Sequence, residues 1–576
     1  MLRPAWLLSL ALLLASGAAF AGGPGSPAPS AADESADDIP GELAVDFDDD
    51  LPPGRISELL ARLAVSFAPS ALEADTRVQV VRVVQERLDE VRGALEKDSR
   101  VEVVEPHARV RALFVPNDPL LKDQWHLTRV GAERAWDFST GRGVTVAVID
   151  TGIACERFEH FDKASDLAKT RCVAGYNFVT KSEHANDDHG HGTHVAGTIA
   201  QSTNNGIGAA GMAFDARLMP VKVLSQDGVG TTTDVADGIR WAADHGAQVI
   251  NLSLGSSRNS RIMQRAIDYA RGRGVTLVAA AGNSGGPVGY PGGSAGVIGV
   301  SALTPNDQLA RFSSRGPGVD LAAPGVDVVQ QTICNGGRDR CERFPSYNGT
   351  SMASPHVAGA AALLVSLGVS EPAKVEQALT RGARKLDGSA EGRFQFGAGA
   401  LDAATTLGRV ALERTVARLV ALALVIFVVF RSLRRREPVA SPWTPHFLLP
   451  ALFAGPGLLF FAPFVIGRHN DLVDLVARPL PDWDILLGAS LHGFLPLGTV
   501  LLPFGLTLLL FGVPRARPVL GGLAVGIAAY LLAAAVQGGI HSPMGRLGLA
   551  LFAVANAVAC VLLARLVLAE KSLAAG

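Results

Sequence analysis

"GVTVAVIDTG", residues 143–152, is a short apolar run, Val144 to Ile149, that stops at an aspartate, a threonine and a glycine. A run of that length bounded by glycines reads as a strand buried on both faces, and such strands belong to parallel sheets covered by helices. Further runs follow the same recipe: "ARLMPVKVL" (216–224), "AQVINLSLG" (247–255), "VTLVAAAGN" (275–283) and "VIGVSAL" (297–303), with helical periods between them. The fold class is therefore α/β, a doubly wound, mostly parallel sheet over about residues 115–406. Ligands of such sheets sit outside the carboxyl ends of the strands, where Asp150 and Asn283 stand.

Outward from this core the chain changes character. It has 576 residues, 48% of them hydrophobic, a formal net charge of −2 and a mean hydropathy of +0.26, too apolar for an ordinary soluble enzyme. The near-neutral charge gives no sign of a nucleic-acid partner. Residues 1–21 join Arg3 to an apolar run and a small-x-small end, the pattern of a secretory signal, with an uncleaved anchor as the alternative. Residues 22–38, rich in Gly, Pro, Ser and acids, form a flexible leader. Residues 39–114 read as a small α+β unit: a strand at "GELAVDFDD", a helix at "GRISELLARLAVSF", a strand at "TRVQVVRV", a second helix and a closing strand.

Residues 407–576 carry about five apolar stretches, near 416–430, 447–466, 485–511, 518–537 and 547–568, which predict a multi-pass helical membrane domain. The basic "RSLRRRE" and "PRAR" mark cytoplasmic loops, so the chain before the first span lies outside the membrane, periplasmic or extracellular. The first span is short and includes Arg418, which would have to snorkel. Polar residues within the spans are few, chiefly His492, Gln537 and Asn556.

Five cysteines are present. Cys155 with Cys172 and Cys334 with Cys341 would close short loops suited to an oxidising compartment, although four free thiols are also compatible with the sequence.

"DDHGHGTHVAG", residues 187–197, holds His189, His191 and His194. A metal tract is one reading, but there is no HExxH and a helix beginning near His191 would send the rings in different directions. A general base is the other reading, and it needs a nucleophile and an orienting carboxylate. Asp150 supplies the carboxylate. Ser351, in "YNGTSMASPHVAGAAALLV", lies on a Gly-containing turn entering an apolar helix, with main-chain N–H groups beside it. Asn283 offers a side-chain amide for an oxyanion. Carboxylate, base and nucleophile thus stand along the chain in the order Asp, His, Ser.

With "VAVIDTGI", "HGHGTHVAGTIA", "INLSLG", "AAAGN" and "NGTSMASPHVAG" in place, residues 115–405 resemble the subtilisin-like serine proteases (subtilases). The resemblance implies a serine endopeptidase with Asp150, His191 and Ser351 as catalytic residues, Asn283 in the oxyanion hole and no cofactor for catalysis. His194 would pack locally. Ser253, Leu254 and Gly255 would pair with an extended peptide substrate, and Ala280, Gly282 and Gly289 would shape a pocket for a bulky apolar side chain before the cut bond. Residues 39–114 resemble the subtilase propeptide, an inhibitor removed autocatalytically between about Arg109 and Pro116. "TNNGIGAAG" resembles a calcium loop, with ligands from Thr203, Asn205, Ile207 and Ala209 and a further one from Asp118; a metal-free Asn-Gly turn is the alternative. Where relatives read "HPDL", this chain has "ACERFEHFDKASDL", which leaves Asp162 as the candidate second carboxylate.

The expected partners are thus protein or peptide substrates, the chain's own propeptide and the lipid bilayer. Two further function classes compete: a catalytically silent binding or sensing module, and a channel or transporter built on the membrane part. The complete Asp150, His191, Asn283 and Ser351 set argues against the first, and the scarcity of polar groups in the spans against the second.

Overall fold

The computed structural model describes residues 38–70, 73–108, 114–434, 443–465, 467, 471–486, 500–538 and 545–569. The expected signal peptide, the leader through residue 37, the centre of the expected maturation cut (109–113) and His492 lie outside the described residues. The described residues through Ala108 and those from Phe114 onward belong to two compact units.

In the first unit four antiparallel strands, β1 (Asp38–Phe47), β2 (Ser66–Pro69), β3 (Gln79–Arg82) and β4 (Val101–Ala108), pair in the order β2-β3-β1-β4. Leu43, Val45 and Phe47 alternate along β1 and are fully buried. They pack with Ile56 and Leu60 of α1 (Pro53–Arg62) and with Val91 and Leu95 of α2 (Leu88–Leu95). One expectation is corrected. The helix predicted through Phe67 stops at Arg62, because Ala64 turns left-handed (φ 52°) and the following residues leave as β2.

In the second unit a parallel sheet is built from β5 (Thr145–Asp150), β6 (Arg171–Cys172), β8 (Arg217–Lys222), β9 (Val249–Leu252), β10 (Thr276–Ala280), β11 (Val297–Leu303) and β12 (Leu321–Pro324), in the order β12-β11-β10-β9-β5-β8-β6, and the two-residue β7 (Tyr176–Asn177) also pairs with β8. Period-two alternation divides its side chains between two cores. Val146 and Val148 face α3 (His191–Ala200) and α6 (Thr350–Ser366), whereas Ala147 and Ile149 face α4 (Thr232–Asp244) and α5 (Arg261–Gly272). Each fully buried Val or Ile side chain contributes about 1.5–3 kcal/mol, and both faces are dry. That explains why these strands read as continuous apolar runs. The Cys155–Cys172 and Cys334–Cys341 disulfides are formed, and Cys560 is free and buried.

Beyond α7 (Pro372–Gly382) the chain enters α8 (Ala403–Arg434), α9 (Pro445–Ala454), α10 (Arg517–Gln537) and α11 (Gly545–Leu568). Among the described residues, three helices are long and apolar enough to cross a membrane: Ala403–Leu433, Pro514–Gln537 and Leu547–Leu568. They share a core of small and aliphatic residues and leave Leu424, Phe427, Val428, Leu551 and Leu562 more than half exposed, as lipid-facing helices do.

Among the described residues, the first, fourth and fifth of the five expected stretches coincide with these long helices, and two shorter apolar helices, Pro445–Ala454 and Leu501–Leu510, fall in the second and third. The second expected span is interrupted after Ala454 by Gly455, Pro456 and Gly457, the last at φ 103°. Part of the third lies outside the described residues. Arg418 does not snorkel either: it pairs with Asp482 at 2.7 Å, and the Tyr530 hydroxyl donates to the same carboxylate. Asn556 donates to the Phe552 carbonyl within its own helix, and Gln537 to the Glu413 carbonyl.

Candidate active site

α6 is apolar on every side, and all of its residues are buried except Ser351. The helix begins just after Gly349, so the Ser351 hydroxyl is held at the N-terminal end, where main-chain N–H groups lack helical partners. It donates to the Ser253 carbonyl at 3.2 Å. Asp150, fully buried at the carboxyl end of β5, accepts from His191 Nδ1 at 2.7 Å and from the Thr151 N–H at 2.8 Å. A carboxylate acceptor puts the proton on Nδ1, which leaves His191 Nε2 to act as an acceptor. Among the described residues no hydrogen bond joins His191 to Ser351.

The approach of α3 to β5 depends on Gly192. A Cβ there would meet the Gly152 carbonyl at 2.1 Å. Burial opposes charge on the His191 ring, but the Asp150 carboxylate outweighs it and holds the pKa above the usual histidine value.

The other two histidines have separate roles. His194 stacks on Tyr347 and its Nε2 donates to the Pro345 carbonyl at 3.2 Å; burial lowers its pKa to about 3. His189 stays on the loop and accepts from the His191 N–H at 3.3 Å. Among the described residues no group of three or more His, Cys, Asp or Glu side chains assembles to hold a metal.

Asn283 Oδ1 accepts from both the N–H and the hydroxyl of Thr350, each at 2.8 Å. The acceptor side of the amide is thus fixed, and its Nδ2 donor is left for a ligand. Beside these groups lies an open cavity of about 520 Å³, lined among others by His191, Ser253, Leu254, Gly255, Met263 and Tyr290. Ala280, Gly282 and Gly289 do not line it. Ala280 ends β10, Gly282 turns left-handed (φ 113°), and Gly289 donates to the Ala281 carbonyl at 2.9 Å.

Sequence reasoning missed several supporting residues. Asp187 accepts from Thr151, His189, Gly190 and Thr193, and so ties the loop before α3 to the end of β5. The N-cap position itself is Gly190, so no capping signal in the sequence marked Asp187, three residues earlier. Lys222, buried at the end of β8, donates to the Thr151 and Leu224 carbonyls and pairs with Asp188 at 2.6 Å.

The sequence profile described as the subtilase family matches residues 141–399. The "Thermophilic serine proteinase" of Bacillus sp. (strain AK1) is 37% identical over 362 residues, 62% of this chain and 86% of that relative. The chain belongs to the subtilase family. "Thermitase" of Thermoactinomyces vulgaris is 39% identical over 278 residues, 48% of this subtilase and 94% of the relative. An "Extracellular protease" of Xanthomonas campestris pv. campestris is 37% identical over 359 residues, 54% of this chain and 60% of that relative.

The loop expected to hold calcium is tied to the rest of the fold by two buried aspartates. Asp162 bonds to the Arg157 guanidinium at 2.8 Å and stands away from the loop. Asp166 lies against the loop instead, because the turn Ser165–Leu167 carries its side chain inward. It accepts from Asn205 Nδ2 at 2.6 Å and from the Ala209 N–H at 2.9 Å, while Asp118 accepts from the Asn204 and Asn205 N–H groups. Asn205 Oδ1 accepts from the Ile207 N–H, and the Thr203 hydroxyl from the Gly211 N–H. Burial raises both carboxyls, Asp166 to about 7. Among the described residues neither forms a salt bridge. Two buried carboxylates without a cationic partner, beside an amide oxygen, fit a hard cation.

Proposed function

We propose that this subtilase is an exported, membrane-anchored serine endopeptidase that cleaves peptide bonds through an acyl-enzyme on Ser351. The observation that carries the reading is the 2.7 Å bond from His191 to the buried Asp150, beside the one accessible residue of α6 and an amide donor already oriented by Thr350. Ser351 Oγ leaves the Ser253 carbonyl, attacks the substrate carbonyl and passes its proton to His191 Nε2. Asp150 stabilises the imidazolium and remains ionised. The oxyanion receives hydrogen bonds from Asn283 Nδ2 and the Ser351 N–H. His191 returns the proton to the departing amine, and the mirror sequence with water frees the acid.

The peptide pairs with Ser253–Gly255 as an added strand, and Ala280, Gly282 and Gly289 border the side chain before the cut bond. No cofactor enters these steps. Asp118, Asp166 and Asn205 would hold a structural calcium ion, with main-chain oxygens of Thr203, Ile207 and Ala209 completing the set. Residues 39–114 act as propeptide and inhibitor, removed near residues 109–116. The long helices Ala403–Leu433, Pro514–Gln537 and Leu547–Leu568 anchor the enzyme, with the catalytic unit periplasmic or extracellular.

The test is expression of the full-length chain beside Ser351→Ala, with masses of the N-termini and an assay on a chromogenic peptide carrying a large apolar residue before the scissile bond. Maturation and cleavage by the parent alone are expected. Equal maturation of both forms without cleavage by either would overturn the proposal.

A further inference from the structure

Where α7 of the catalytic unit meets the start of α8 and the end of α10, a second cavity of about 210 Å³ opens. Lys374 and Arg381 come from α7, Arg409 and Arg414 from α8, and Glu413 is the one carboxylate among the lining residues. Among the described residues none of the four cations forms a salt bridge. Arg414 Nε is buried without a hydrogen-bond partner, and the Arg409 guanidinium reaches only the Arg381 carbonyl, at 3.1 Å. Glu371 stands beside Gly538 at the rim and has a partner of its own. Glu413 in the lining and Asp482, whose charge acts on Arg414, offset part of the four positive charges, and an anion that enters would relieve the repulsion that is left.

The position of the cavity narrows the choice of anion. After Arg418, α8 runs apolar through Phe430, and α10 is apolar up to Gln537, which itself lines the cavity. Both helices therefore become polar at the same level. On the reading that α8 and α10 cross a membrane, that level is where headgroups lie.

We propose that this cavity binds the phosphate of an anionic phospholipid headgroup, with Arg381 and Arg409 at its mouth and Arg414 at its base. Guanidinium groups suit phosphate because they donate in pairs. The site lies apart from the cleft at Ser351 and uses no residue of the hydrolytic machinery.

The test uses the full-length chain carrying Ser351→Ala, to prevent self-digestion, in neutral detergent. Native mass spectrometry follows titrations with short-chain phosphatidylglycerol, short-chain phosphatidylcholine and inorganic phosphate. Phosphatidylglycerol is expected to bind at least tenfold tighter than phosphatidylcholine. The double variant Arg381→Gln, Arg409→Gln is expected to lose that preference, and Arg381→Lys, Arg409→Lys to keep most of it. Arg261→Gln, Arg265→Gln on α5 removes the same charge elsewhere and is expected to change nothing. If the double glutamine variant does not fold, Lys374→Gln serves as the second probe, with a threefold or greater weakening expected.

Equal binding of the two lipids, or an undiminished preference in a folded glutamine variant, would overturn the site. Inorganic phosphate saturating the cavity below the lipid's own range would overturn the lipid as its occupant. Membrane insertion is scored separately, by retention of the chain in alkali-washed membranes, so its failure is distinguishable from failure of the site.

Discussion

The Ser253 hydroxyl donates to the main-chain carbonyl of Ser351 at 2.8 Å, while the Ser351 hydroxyl donates to the main-chain carbonyl of Ser253 at 3.2 Å. Pro355 accounts for the first bond. Four residues on from Ser351, it lacks the N–H that would otherwise occupy that carbonyl, and Ser253 supplies the missing donor. Ser253→Ala should leave the carbonyl unpaired at a cost of about 1–3 kcal/mol. Calorimetry should show a lower Tm for this variant, with Ser253→Thr close to the parent.

Asn283→Ala removes the side-chain oxyanion donor and should lower kcat by roughly 10²–10³-fold with little change in KM. Thr350→Val frees the amide to rotate without removing it. Steady-state kinetics should place its loss of kcat between the parent and Asn283→Ala.

The base must be neutral to accept a proton, and the pKa of His191 is raised. The acid limb of kcat/KM should therefore fall above the ordinary histidine value of about 6.5, with activity rising as pH increases through it. Asp150→Asn removes the cause of the rise. A pH–rate profile should show the limb moved to lower pH, together with a loss in kcat on the order of 10⁴-fold.

His126 and His356 form a buried pair, Nδ1 to Nε2 at 2.8 Å, and His356 Nδ1 donates to the Met352 carbonyl. Burial holds both rings neutral, with the pKa of His356 lowered to about 4. The folded state thus binds fewer protons than the unfolded chain between pH 4 and 6.5. The stability is complete above 6.5 and is lost as pH falls towards 4, by roughly 3 kcal/mol from His356 alone. Thermal melts between pH 7 and 4 should show the decline, and His356→Gln should flatten it.

Chelation should lower the Tm of the parent and leave Asp166→Asn nearly unchanged, since the variant has already lost one of the two carboxylates at the proposed calcium loop. Melts with and without a calcium chelator, at constant pH, separate the two cases.

What the sequence made legible follows from where its chemistry sits. Asp150 ends an apolar strand, Asn283 follows three residues after another and Ser351 stands in the first turn of an apolar helix, so pattern alone isolates them. Asp166 was invisible because nothing local distinguishes a buried aspartate from a surface one; Asp162, four residues earlier, looked equivalent. Arg418 looked like a lone charge in a span because its partner, Asp482, is 64 residues away. Hydropathy also overlooked the Gly455–Gly457 break, since an apolar average is blind to a left-handed turn. Strand β2 was lost to its helical neighbour because "ARLAVSF" continues the helix's apolar spacing, and only the conformation of Ala64 ends it.

α8 begins inside the protease fold: the Ala403 N–H bonds to the Val130 carbonyl, and Ala404 packs on Gly131. It then continues unbroken for 32 residues, about 48 Å. No leash separates blade from handle. With α8 as a span, the bilayer would become a ruler that sets the height of the cleft above the lipid.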